Sequence, residues 1–361
     1  GFPYTADHND PDSTGVGPVP FNTVDRIRQS TALCYIDPAR NRLNLTLRGD
    51  CTVHRVLFDG KRAVGVEVES GDEVFNVYGE EIILSGGSIG SPQLLMLSGV
   101  GPASHLGELG IQVIHDLAGV GQNLRDHPQV SVKWKVKDAY EHDREGVRAG
   151  NTAIRYTAEG SDLHNDMLIH NQSSMFGRMY MGTDPDERFA GVGMSACMYL
   201  AKGRGELKLR SKDPRVQPDL NYNYFREEED LRRMRECVRL CVKVGEGEAY
   251  SDIISHRIQP TDEQLNDDEA LNLWLRQDAK TSHHITSTCR MGPSEDSMSV
   301  VDQYGKVHGV LEGHPRTGEI MPSLSQLGAA APCGLARLET AQLGPAYRNN
   351  VLACLFNMRK I

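Results

Sequence analysis

Glu80-Glu-Ile-Ile-Leu-Ser-Gly-Gly-Ser-Ile-Gly-Ser-Pro-Gln-Leu-Leu-Met-Leu-Ser-Gly-Val-Gly101 is the stretch on which the reading of the chain turns. Ile82–Leu84 is short and apolar and runs straight into Gly86 and Gly87, the pattern of a buried strand that ends in a tight turn. A helix is predicted to follow, with Ser91 as N-cap and Pro92 at the first helical position. Leu94, Leu95 and Leu97 supply its apolar face. A strand, a small-residue turn and a helix start together favour an anion, because unpaired N–H groups and the helix dipole point at the turn. An ordinary β–α turn has the same pattern, so this stretch alone leaves both readings open.

Upstream, Gly1–Pro20 is rich in Gly, Pro, Asp and Asn and reads as an extended loop, with a helix expected over Asp25–Tyr35. Leu43–Arg48, Cys51–Val56 and Ala63–Glu69 alternate apolar and polar residues as half-buried strands do, and Asp59-Gly60 is a hairpin signal between the last two. Val74–Val77 is expected to pair next. Downstream, Ser98-Gly-Val-Gly-Pro102 stops the helix, and Ala118-Gly-Val-Gly-Gln-Asn-Leu-Arg-Asp-His-Pro128 forms a second glycine-rich loop.

From Gln129 the style changes. Val130–Val136, Met167–His170, Gly193–Leu200 and Gly205–Arg210 read as strands separated by long irregular stretches, including Tyr140–Asn151 and Arg178–Arg188. This predicts an antiparallel sheet. Glu227–Gly245 is a strongly amphipathic helix whose acidic start suits a helix N-terminus. Thr261-Asp-Glu-Gln264 has the spacing of a capping box and begins a helix expected to run through Trp274.

That helix leads into Thr281-Ser-His-His-Ile-Thr-Ser-Thr-Cys-Arg-Met-Gly292. An imidazole with an ordinary pKa of about 6.5 can accept a substrate proton at neutral pH. A histidine pair in a polar loop is also a common solvated or structural feature.

The 361 residues are enough for two domains, and the formal charge of −10 argues against a nucleic-acid partner. No apolar run approaches the ~20 residues that cross a bilayer, and no secretory signal pattern is present, so a cytoplasmic protein is expected. The eight cysteines show neither C-x-x-C nor zinc-ligand spacing, which predicts reduced thiols and no metal site. Cys237 and Cys241 share one face of the amphipathic helix and read as core residues.

Three segments taken together resemble the glucose–methanol–choline (GMC) flavin oxidoreductases. Gly87–Gly101 is similar to the family's second signature, Gly119–His127 to the loop that follows it, and Thr281–Gly292, with Val300–Gly309 behind it, to the segment carrying the active-site histidine. Asp213-Pro-Arg215 and Pro218–Tyr224 also resemble the family's approach to its long helix. The resemblance implies a bound FAD and oxidation of a small-molecule alcohol to a carbonyl, with hydride passing to flavin N5 and a base taking the hydroxyl proton. It implies that His284 is that base, with His283 a neighbour, and that Val53, Ser85, Gly86 and Gly87 lie against the cofactor.

The implied fold is mixed α/β: an incomplete Rossmann-like FAD-binding domain from residues 1–128 and 275–310, and a substrate-binding domain over 129–274 with an antiparallel sheet covered by helices. Residues 311–361 read as a divergent tail, in which His314 does not match a family position and Ile320-Met-Pro322 does. The family's N-terminal glycine fingerprint does not occur in the sequence, so the chain is expected to be truncated, to hold FAD weakly, to have impaired activity and to self-associate. A catalytically inactive remnant or interaction module, and a flavin-containing lyase, are the alternatives.

Overall fold

The computed structural model describes residues 1–25, 27–137, 152–172 and 191–310, and beyond these the backbone of Leu338–Glu339 and Arg348–Asn350. The expected loops Tyr140–Asn151 and Arg178–Arg188, and the tail with His314 and Ile320–Pro322, lie outside the described residues. Contacts divide the chain into two units. The first is Gly1–Phe21, Asp126–Arg204 and Asn223–His284; the second is Asn22–Arg125, Gly205–Tyr222 and Ile285–Ile361. The units therefore interleave in sequence. Their boundaries differ from the expected ones: Gly1–Phe21 and residues 275–284 fall with the large sheet, and Gly205–Tyr222 falls with the glycine-turn segment.

The first unit is built on a seven-stranded antiparallel sheet. Its strands are β1 (Gly15–Pro18), β2 (Pro128–Val136), β3 (Thr152–Tyr156), β4 (Met167–Gln172), β5 (Gly191–Met198), β6 (Ile254–Gln259) and β7 (Lys280–Thr281). The order is β1-β3-β4-β5-β2-β6, and β7 pairs with the start of β2. The opening expected to be a loop thus contributes the edge strand β1.

Alternation in these strands sorts the residues by face. Val130, Val132 and Trp134 of β2, Met194, Ala196 and Met198 of β5, and Met167 and Ile169 of β4 form one buried cluster. Helices α1 (Glu228–Gly245) and α3 (Asp268–Asp278) cover it with Leu231, Met234, Cys237, Val238, Cys241, Leu271 and Leu275. At Gly245 helix and sheet approach closely, since a Cβ there would lie 2.3 Å from the Trp134 ring. The opposite residues, Gln129, Ser131, Ser195 and His170, come into register across β2, β5 and β4.

One charged group crosses this core with its partners. The Arg233 guanidinium is fully buried and donates to Asp166 Oδ2 at 2.6 Å, to Asp230 Oδ1 at 2.5 Å and to the Leu200 carbonyl at 3.0 Å. Asp166 also accepts from Ala158 N–H and Ser161 Oγ, and Asp230 from Lys202 and Gly203 N–H.

Between the two large helices, α2 (Asp262–Asn266) begins with the expected Thr261/Gln264 capping box. It does not run on through Trp274. Asp267 is extended and its side chain accepts from Ala270 N–H at 2.8 Å, which starts α3 afresh.

The second unit contains the three-stranded meander Thr52–Asp59, Arg62–Ser70 and Glu73–Tyr78, with Asp59-Gly60 in the first bend as expected. A second small sheet joins Gln122–Leu124, Gly205–Lys208 and Asp219–Asn221. Four expectations fail here. Leu43–Arg48 alternates but forms no strand: Leu43 is 92% exposed while Leu45 and Leu47 are half-buried, so the three leucines share no buried face. Asp25–Tyr35 is not a helix: Asp25 takes φ +49, Val24 pairs with Ile27, and only Ala32–Ile36 coils. Ile82–Leu84 is half-buried but unpaired as a strand among the described residues. The helix after it begins at Gly87 rather than Ser91 and runs to Leu97, placing Pro92 inside.

An interior proline leaves the carbonyl four residues earlier without its helical partner. In this helix that carbonyl belongs to Ser88, and the Thr288 hydroxyl donates to it at 2.5 Å.

Candidate active site

Two motifs separated by about 160 residues lie side by side. Arg125 and Thr286 exchange backbone hydrogen bonds at 3.0 and 2.8 Å, Gly121 N–H donates to the Thr288 carbonyl at 2.9 Å, and Ser88 Oγ donates to the Ile285 carbonyl at 2.5 Å. The part of the histidine segment that follows Ile285 is therefore held by the second glycine loop and by the start of the Gly87–Leu97 helix. Cys289, in this stretch, is driven up to about 12 by burial, so its thiol stays protonated and inert.

The part ending at His284 belongs to the first unit and is held differently. Asp126 is buried, and its carboxylate accepts four hydrogen bonds. Oδ1 takes His127 N–H at 2.8 Å and His284 N–H at 3.0 Å; Oδ2 takes the Tyr224 hydroxyl at 2.6 Å and the Thr281 hydroxyl. Thr281 Oγ in turn accepts from His283 N–H at 2.9 Å. His283 takes φ +66, a left-handed conformation unusual for a residue with a Cβ.

His284 is exposed, and its imidazole nitrogens carry no hydrogen bond to any described residue. Its ring is 5.3 Å from that of His127, tilted by 45°, and His127 stacks on Tyr199 at 4.5 Å. Burial is the main reason the His127 imidazole is held below its ordinary value; the charge of His284 adds to this and Asp126 opposes it. Burial lowers His170 to about 4, with His8 and His284 contributing. Three imidazoles therefore share one region of the sheet, and two of them stay neutral near pH 7. The third, His284, is the exposed one.

The four residues expected at the cofactor lie in the second unit. Val53, on Thr52–Asp59, is half-buried and packs on the cluster that also contains Ile82, Leu84 and Leu94. Ser85 follows that segment, and Gly86 and Gly87 open the helix, Gly87 at φ +68 with open space where a Cβ would stand. An apolar side chain and the first-turn amides of an eleven-residue helix suit the ring and phosphate ends of a dinucleotide. Since Pro92 is not in the first turn, those amides all carry N–H. His284 belongs to the other unit and is described there. The sequence reading singled out neither Asp126 nor His127, His170 or Tyr199; the Asp-His pair at the end of the second glycine loop was the available signal.

Comparison with known proteins gives the family. The N-terminal and C-terminal GMC oxidoreductase family models match residues 1–129 and 201–313. The chain is 32% identical over 353 residues to an oxygen-dependent choline dehydrogenase of Photobacterium profundum, covering 92% of this chain and 62% of that protein. It is 34% identical over 354 residues to the mitochondrial choline dehydrogenase of Mus musculus, covering 92% and 59%. The chain thus spans about three-fifths of the length of these relatives. In fold it is similar to pyridoxine 4-oxidase from Mesorbium loti, with a TM-score of 0.76 and 21% identity over 85% of this chain and 60% of that one. By these matches and by its mixed α/β architecture, the chain belongs to the GMC oxidoreductase family.

Proposed function

We propose that this chain takes part in the FAD-dependent oxidation of a small-molecule alcohol to a carbonyl, with His284 as the proton acceptor. FAD, the cofactor of the family, supplies the hydride acceptor when bound. Val53, Ser85, Gly86 and Gly87 are the residues proposed to hold it, and residues 129–274 the part proposed to shape the substrate site.

The observation that carries the reading is the state of the three imidazoles. A base must be neutral before reaction and able to take the hydroxyl proton at a nitrogen. The exposed His284 ring has a nitrogen to offer, while burial keeps His127 and His170 from competing for that proton. The relatives named above suggest choline as the first alcohol to try.

The test is anaerobic mixing of the purified protein, with excess FAD, against choline and a series of primary alcohols, following flavin absorbance. Bleaching by an alcohol with release of the matching aldehyde supports the reading. Flavin that binds and stays yellow with every alcohol contradicts it and favours a lyase or an interaction module. We further propose that residues 1–361 alone hold FAD weakly, because the described residues offer one glycine-flanked helix start for two phosphates. Gel filtration then gives a flavin-to-protein ratio well below one, and a ratio near one refutes this. The same column reports the proposed self-association, which the outer edges of the Thr52–Tyr78 meander, unpaired among the described residues, favour.

A further inference from the structure

We infer that Asp126 is the positioning residue of His284, with one carboxylate oxygen, Oδ1, gripping the main-chain amides of both His127 and His284. This inference rests on the reading of His284 as the base. Asp126 does not touch either imidazole through a hydrogen bond; it acts on the backbone that carries them. A charged acceptor forms stronger bonds to N–H than a neutral one, and a single oxygen shared by two amides fixes their spacing. The two rings, 5.3 Å apart, are carried on residues tied to that oxygen.

The second oxygen completes the grip. The Thr281 hydroxyl donates to Oδ2 and accepts from His283 N–H, so the turn Thr281–His284 closes on the carboxylate at both ends. Between them His283 sits at φ +66. Such a conformation persists in a β-carbon residue only where its surroundings over-determine it. Here the surroundings are the four donors on Asp126 and the pairing of Pro128 with Thr281. Without the carboxylate, His283 would relax toward the ordinary region and swing the His284 ring with it.

The prediction is read on the chain itself and on its turnover. In Asp126→Asn the negative charge is lost while a weaker acceptor remains. The amide of His284 is followed by ¹⁵N-histidine labelling. Exchange of the His284 amide should quicken. With excess FAD and the alcohol that reduces the parent, kcat should fall by about 10- to 100-fold with little change in KM, the signature of a misplaced group rather than lost binding. Thr281→Val should quicken the same amide and Thr281→Ser should restore it, which keeps the test decisive if Asp126→Asn folds poorly.

A folded Asp126→Asn chain with unchanged His284 amide exchange overturns the inference, as does Thr281→Val without effect on that amide. His284→Ala with full turnover sinks the base assignment instead, and the two amide measurements decide the positioning independently of it.

Discussion

The Thr288 hydroxyl donates to the Ser88 carbonyl at 2.5 Å, and Ser88 is four residues before Pro92, the residue that has no N–H to offer that carbonyl. A proline inside a helix is costly because it removes one hydrogen bond and crowds the preceding turn. Here a side chain from the histidine segment, that of the buried Thr288, replaces the missing donor. The proline gap thus becomes the place where that segment is fastened to the helix.

Thr288→Val keeps the shape and removes the donor, leaving the carbonyl of the half-buried Ser88 without it. It should cost about 1–3 kcal/mol in urea unfolding, whereas Thr288→Ser should cost less. Pro92→Ala restores the backbone N–H, so Thr288→Val should be milder in that background. Additive costs in the double-mutant cycle would show that the two residues do not share this carbonyl.

Arg233 lies between Asp166 and Asp230 with no solvent exposure on its side chain. Arg233→Met leaves two buried carboxylates without their cation and should cost about 3–5 kcal/mol, among the largest single effects in the first unit. Adding Asp166→Asn and Asp230→Asn together should recover part of the loss. A drop below about 1 kcal/mol for Arg233→Met would mean that water reaches these carboxylates.

His170 gives acid sensitivity. Its folded value of about 4 lies below the ordinary 6.5, so between these values the unfolded chain binds a proton that the folded chain does not. Stability is therefore fully present above about pH 6.5 and falls as pH drops toward 4, by on the order of 3 kcal/mol from this one residue. His170→Leu should flatten that part of the curve in thermal melts taken from pH 7 to 4. An unchanged acid limb would show that His170 is already solvated in the folded chain.

Contiguous patterns were legible in the sequence and pairings across long separations were not. The hairpin at Asp59-Gly60, the capping box at Thr261 and the buried face of Glu228–Gly245 each depend on residues within a turn or two, and all three form. Leu43–Arg48 had the alternation of a strand, but a strand also needs a neighbour, and alternation says nothing about one. Pro92 was assigned to a helix start because that is where proline costs least, and Thr288, 196 residues later, supplies the donor that allows it inside. His284 could be picked out from the motif around it. Asp126 had only the Asp-His pair closing its loop to mark it, and its hydrogen bond to His284, which spans 158 residues, left no local pattern.

The most direct measurement is the rate of anaerobic flavin reduction by an alcohol substrate in His284→Ala and His283→Ala, with excess FAD. His283 is exposed, left-handed and tied through its backbone, so its imidazole has no assigned part in the chemistry. The account predicts that His284→Ala slows reduction by about 100-fold or more, the scale of a lost general base, while His283→Ala stays within a few-fold of the parent. The opposite ranking, or equal losses in both, would contradict it.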